Sequence, residues 1–376
     1  MWLFPSRSLP LDLSELEGRK FVCVDPCQLC CLCQPELLES EVQFFKRNFP
    51  ERIVTRRSPH KHTALVLKQG GGPCTFLEDR RCSVYQNRPH YCRAYPFHVH
   101  LSTRAQVELD LSCRGVWTGQ GEDATLLGMQ LVEENKAAIA RGLEDSSEVY
   151  EQFYANCRDA GLEHDSKELR AELEAKLPLF ADPLYIGRVL EASVEDEEMI
   201  LPSALEREER RLDELKQSAM VTSLESMNSM DPFSSPVYCD PQGKWNIFMS
   251  QERELDMYVM AEDGKLERSR TIDPFTVPLM RPIGDGQKAF TDYLRILNRR
   301  DSMLGHAYYL LDDLGYEDYV PNVYFGAIAT AALDLLWRCS LLAALTGGRL
   351  DQNGVREGII FYDMDRLDAP TIGAFV

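Results

Sequence analysis

The stretch Cys23-Val24-Asp25-Pro26-Cys27-Gln28-Leu29-Cys30-Cys31-Leu32-Cys33 sets five thiols close together, and a second set follows at Cys74, Cys82, Cys92 and Cys113. Nine of the twelve cysteines therefore fall between residues 23 and 113. Such density in a secreted mini-protein would read as a disulfide framework. In a chain of 376 residues with its cysteines bunched at one end, it reads as reduced thiols that serve as metal ligands. Thiolates are soft donors and select zinc, Cu(I) or iron–sulfur clusters. A mononuclear zinc site takes four ligands in a tetrahedron. The adjacent pair Cys30-Cys31 can hardly close on one ion from a single turn without strain, and more naturally feeds different irons or different sites. The expected ligands are Cys23, Cys27, Cys30, Cys31, Cys74, Cys82, Cys92 and Cys113. They serve either two four-cysteine sites or one site plus structural thiols, with Cys33 left over.

These residues carry a family resemblance. Cys23-x3-Cys27-x2-Cys30-Cys31 looks like the opening of the YkgJ-type cysteine-cluster family, a zinc- or iron-chelating domain. Gly72-Pro73-Cys74-Thr75-Phe76-Leu77 followed by Cys82-Ser83-Val84-Tyr85 is similar to that family's CPFL and CSIY signature. The segment from Asn87 to Phe97, with Arg88-Pro89-His90-Tyr91-Cys92-Arg93, resembles its RPxxCRxFPF run. Thr75 stands where proline is usual, Tyr95 where phenylalanine is common, and Cys33 is extra. The likeness spans about residues 21–117, roughly a quarter of the chain. It implies metal binding with no settled activity: an iron–sulfur cluster of the 4Fe–4S type, or alternatively a zinc or iron ion. A similar cluster opens the flagellin lysine N-methylases. A protein-modifying enzyme is therefore an alternative, as is a zinc-binding structural or interaction protein. No catalytic residue is assigned, and whether the chain is an enzyme is left open.

The other residues of these motifs have physical readings of their own. Arg81, Arg88 and Arg93 sit among the second set of cysteines and can offset thiolate charge. Phe76, Tyr85, Tyr95 and Phe97 read as a small apolar wrapper that limits solvent access. Arg88-Pro89 fixes a turn before Cys92, because the residue before proline is held extended. His60/His62 and His98/His100 are each spaced by two, which puts a pair on one face of a strand. They read as exposed or hydrogen-bonded histidines rather than ligands. Gly70-Gly71-Gly72 lacks the Lys-Ser/Thr of a phosphate loop and reads as a turn before Cys74. Gly284-Asp285-Gly286 reads as a turn leading into a helix. The C-x3-C-x2-C spacing also matches the radical S-adenosylmethionine motif, but Cys31 and the later signature explain it better and no (β/α)8 pattern follows. Cys157, Cys239 and Cys339 are isolated, and Cys157 and Cys339 lie in apolar helical runs as core thiols.

Outward from the cysteines, the charge changes. Residues 1–113 hold 15 Lys/Arg against 12 Asp/Glu, and the remainder holds 26 against 48, for a net of −19 overall. Nucleic acid is therefore not an expected partner, while a protein partner or protein substrate is compatible with the pattern. The apolar run Met1–Phe4 meets Pro5, Ser6 and Arg7 at once, too short for a secretory signal, so a cytoplasmic location is expected. The longest apolar stretch, Phe325 to Leu345, contains Asp334 and Arg338 four residues apart. It reads as a buried helix with an internal ion pair rather than a membrane span.

The expected fold class is α+β: an irregular cysteine-cluster region with short strands over 1–117, a helical region over 118–220, a linker over 221–243, and a β-meander plus helices over 244–376. Helices are expected at Leu37–Phe49, Thr125–Leu143, Ser147–Ala160, Lys167–Leu177, 286–314 and 322–346, with a capping box at Ser203 and Glu206 opening a charged stretch to Met220. Strands are expected at Ala64–Leu67 and Val107–Leu111. Three more, Trp245–Met249, Leu255–Ala261 and Lys265–Thr271, form the meander, and a final one is expected at Gly358–Tyr362.

Overall fold

The computed structural model describes residues 9–57, 61–195, 199–202, 211–229, 231–251 and 254–376. The Met1–Phe4 run, His60 and the Ser203/Glu206 capping box lie outside the described residues.

The protein is α+β. In its first third the strands are short: β1 Leu11–Asp12, β2 Lys20–Phe21, β3 Ile53–Arg56, β4 His62–Leu65, β5 Leu77–Glu78, β6 Arg81–Cys82, β7 Phe97–Leu101, β8 Ala105–Leu109 and β9 Glu122–Asp123. Two helices interrupt them, α1 Glu39–Asn48 and α2 His90–Ala94. β5 and β6 form a hairpin whose two turn residues, Asp79 and Arg80, both have positive φ, 50° and 57°. That is the turn whose twist matches a two-residue β-hairpin, and it sets Cys82 opposite Leu77.

Then come α3 Ala124–Glu134, α4 Lys136–Ala160, α5 Ser166–Lys176, α6 Pro183–Glu195 and α7 Arg211–Met227. An antiparallel sheet follows, in the order β10 Val237–Cys239, β11 Trp245–Gln251, β12 Glu254–Met260 and β13 Leu266–Ile272. The chain ends with α8 Asp285–Arg299, α9 Asp301–Asp313, α10 Val320–Thr346, α11 Gln352–Leu367 and β14 Ala374–Phe375. β14 returns to pair with β7, and β1 pairs parallel to β8, giving a second sheet ordered β1-β8-β7-β14. One hydrophobic core takes residues from along the whole chain, among them Leu16, Val107, Phe153, Met220, Phe248 and Leu336.

α10 has no polar face, the pattern of a helix surrounded by protein, and it is buried along most of its length. Among the described residues it is the one helix long and apolar enough to cross a membrane. Asp334 and Arg338 pair inside it at 2.9 Å, as their spacing implies.

Several expected elements differ. Gly358–Tyr362 is not a strand but lies within α11, where Gly358 packs so closely on Cys339 that a Cβ would meet its Sγ at 2.1 Å. A short apolar run does not distinguish strand from buried helix. Residues 221–243 carry the end of α7 and strand β10 as well as loop. The 286–314 helix is two helices. Arg300 between them is extended (φ −67°, ψ 128°), its guanidinium held by Glu15, Asp363 and the Leu109 carbonyl. The break between the third and fourth helices falls at Asn135 rather than beyond Leu143. α6 falls within the expected helical region without a range of its own, and α2 and β10 carry no expectation of their own.

Candidate metal centre

The Cys23–Cys33 loop enters a short 3-10 turn, Leu29–Leu32, through Gln28 in the left-handed conformation (φ 50°). A 3-10 turn carries three residues per revolution, so consecutive side chains leave it in directions about a third of a turn apart. The thiols of Cys30 and Cys31 nonetheless stay close enough to hydrogen-bond to each other. The Cys31 carbonyl accepts the Cys74 N–H at 2.7 Å, which ties the second set of cysteines to the first. Cys82 is placed by the β5–β6 hairpin and Cys92 by α2, which starts directly after Pro89. Cys113 precedes the 3-10 turn Arg114–Trp117, its own N–H bonded to the Asp110 carbonyl.

Two cavities open between these thiols. The larger, about 460 Å³, is lined by Cys23, Cys27, Cys30, Cys92 and Cys113. The smaller, about 40 Å³, is lined by Cys23, Cys30, Cys31, Cys33, Cys74, Cys82 and Cys92. Cys23, Cys30 and Cys92 border both, whereas Cys27 and Cys113 face only the first, and Cys31, Cys74 and Cys82 only the second. All eight expected cysteines are thus brought together, and Cys33, largely exposed, reaches the second cavity too. Among the described residues no three His, Cys, Asp or Glu side chains converge as they would on a single ion.

Burial raises the thiols of Cys23 and Cys74, each to about 11, and raises that of Cys82. Arg88 works against burial. Its guanidinium lines both cavities and favours the thiolate at Cys23, Cys30, Cys82 and Cys92. It stacks at 3.8 Å on the ring of Tyr85 and donates to the Tyr85 carbonyl. Tyr85 itself is exposed, so the wrapper consists of Phe76, Tyr95 and Phe97, with Tyr85 as a platform for the arginine. Arg93 lines the larger cavity, while Arg81 lines neither. Cys27 is the exception among the thiols, brought down to about 6. It accepts the S–H of Cys239, which outweighs burial, and the backbone N–H groups of Leu29 and Arg114 add to the effect.

Cys239 is the residue that sequence reading left isolated. β10 brings its Sγ to 3.7 Å from the Sγ of Cys27. Its neighbour across the sheet, Trp245, donates its indole N–H to the Cys27 carbonyl at 2.8 Å. The only trace in the sequence is a cysteine closing a short β-prone run. His98 and His100 share one face of β7 as their spacing implies, but they pack on Phe375 and line neither cavity. His62 lies 3.6 Å from Glu36. His90 lines the larger cavity, with burial favouring its neutral form.

A donor set composed of thiols, wrapped by aromatic rings and faced by the Arg88 guanidinium, fits a thiolate-held metal. Residues 22–114 match the model of the CxxCxxCC family, described as "Putative zinc- or iron-chelating domain". The domain spans all eight expected ligands, with one more residue between its first two cysteines than the family's label shows, and Cys239 lies outside it. The chain is also 28% identical to an uncharacterized protein of Methanocaldococcus jannaschii, over 38% of this chain and 91% of that protein. No solved structure matches.

Proposed function

We propose that the CxxCxxCC domain holds an iron–sulfur cluster of the 4Fe–4S type, on thiolates drawn from Cys23, Cys27, Cys30, Cys31, Cys74, Cys82, Cys92 and Cys113. The observation that carries this reading is the pair of thiol-lined cavities. The cysteines ring a volume rather than one point, and of the adjacent pair Cys30 borders both cavities while Cys31 borders only the smaller. A lone tetrahedral zinc needs four sulfurs each about 2.3 Å from one centre, whereas a cluster takes its thiolates at separate corners. Such a cluster supplies one-electron redox chemistry. Around it, Arg88 offsets thiolate charge, the N–H groups of Leu29 and Arg114 stabilise the Cys27 sulfur, and Phe76, Tyr95 and Phe97 exclude water. Reduced thiols fit a cytoplasmic setting.

Protein purified without oxygen should be brown, absorb broadly in the visible blue, and contain iron with acid-labile sulfide. Colourless protein carrying stoichiometric zinc would overturn the cluster reading and leave a zinc-chelating domain.

A further inference from the structure

We propose that Cys239 is a positioning residue of the metal centre: from the antiparallel sheet, outside the CxxCxxCC domain, its thiol donates a hydrogen bond to the sulfur of Cys27 and tunes how that sulfur holds metal. The inference rests on the reading of Cys27 as a ligand.

Cys239 is fully buried, with its Sγ 3.7 Å from Cys27 Sγ and 3.7 Å from the Cys27 carbonyl oxygen. It lines neither cavity, whereas Cys27 lines the larger one. It therefore stands behind Cys27 rather than beside it, as a donor and not a ligand. Its backbone is fixed on both sides. The Cys239 carbonyl accepts Arg114 Nε at 2.8 Å, from the residue that follows Cys113. Its register partner Trp245 donates to the Cys27 carbonyl at 2.8 Å. Two paired positions of the sheet thus address one residue of the metal loop, one at its carbonyl and one at its sulfur. Trp245 is held in turn by Arg80, whose guanidinium stacks on the indole at 3.8 Å and whose Nη2 donates to the Gly243 carbonyl. The S–H···S contact is thus built by a packed sheet and not by a mobile side chain.

Hydrogen bonds to a ligating sulfur stabilise the more negative, reduced state of an iron–sulfur centre and raise its potential. They also orient the ligand, and removing such a partner commonly weakens metal binding about tenfold or more.

The test uses Cys239→Ala and Cys239→Ser in the full chain, purified without oxygen, with Cys27→Ala as reference. Iron, zinc and sulfide content, the reduction potential, and the rate at which metal passes to a chelator are measured, and circular dichroism checks folding. Both Cys239 variants are expected to keep wild-type metal content. Cys239→Ala should shift the potential to more negative values and release metal about tenfold faster. Cys239→Ser, whose hydroxyl still donates, should restore both. If the alanine variant does not fold, Cys239→Val fills the thiol's space without a donor and replaces it. An alanine variant identical to wild type in both potential and release would overturn the proposal. So would one that loses metal as Cys27→Ala does, which would make Cys239 a ligand. Colourless, zinc-loaded wild type would sink the cluster reading alone, and the release rates would still decide the role of Cys239.

Discussion

Cys30 and Cys31 adjoin in sequence and touch through their thiols, yet differ in reach, since on the 3-10 turn that carries them Cys30 borders both cavities and Cys31 only the smaller. Replacing both by serine is expected to abolish bound metal, read by metal analysis of the purified protein. Full retention would refute the ligand assignment. Cys31→Ser alone should disturb the side lined by Cys74 and Cys82 and leave Cys27 and Cys113 in place. A second residue-scale effect concerns Glu108, fully buried and accepting the N–H and Oγ–H of Ser302 at 3.1 and 2.6 Å. Burial pushes its pKa up to about 7 from 4.5. The folded state therefore holds a proton that the unfolded chain releases first. The contribution of Glu108 is fully present below about pH 4.5 and is lost as pH rises through about 7. Asp110, raised to about 7 by burial and by Asp363, acts in the same sense. Glu108→Gln should make the fall of melting temperature between those pH values shallower without removing it. An unchanged slope would disprove the assignment. At this scale the cluster of cysteines was legible because their spacing is local. Cys239 was not, since nothing near it in sequence signals that a sheet delivers it to Cys27.

The same contrast governs the elements. The meander strands and α10 were readable, since alternation and an unbroken apolar run are strong local signals. α11 was misread because its apolar run Gly358–Tyr362 is short, and its helical state is set by packing on α10 and by the Asp351 side chain capping Asn353 and Gly354 N–H groups. The break at Arg300 was hidden because it is imposed by partners as distant in sequence as Glu15. α10 offers the element-scale test. Arg338 is fully buried, bonding Asp334 at 2.9 Å, Asp365 at 2.5 Å, the Phe361 carbonyl at 3.0 Å and Ser226 Oγ at 2.8 Å. Arg338→Met leaves the buried Asp334 and the partly exposed Asp365 without their cation. It is expected to cost roughly 3–5 kcal/mol, measured by urea unfolding. Arg338→Lys should rescue little, since a point charge cannot reach four partners at once. A loss below about 1 kcal/mol would mean the pair is solvated, as surface ion pairs are.

For the whole molecule, the decisive relation is between the metal loop and the sheet that backs it. Composition drew a line near residue 113, where a slightly basic segment meets a strongly acidic remainder. The contacts cross that line: Trp245 to the Cys27 carbonyl, Lys68 to the Glu262 carbonyl at 3.0 Å, and the Arg80 N–H to Glu262 at 2.9 Å. If the loop binds metal in the conformation that these bonds hold, metal binding and sheet docking are linked, and linkage is reciprocal. Arg80 separates the two effects, because it lines neither cavity yet clamps Trp245 and Gly243. Arg80→Ala should therefore speed metal loss to a chelator. Conversely, stripping the metal should lower the melting temperature and expose the turns at Asp240–Lys244 and Glu262–Gly264 to protease faster than in the loaded protein. If Arg80→Ala holds metal as tightly as wild type, and stripping leaves both turns equally protected, the sheet is a neighbour of the metal centre and not part of it.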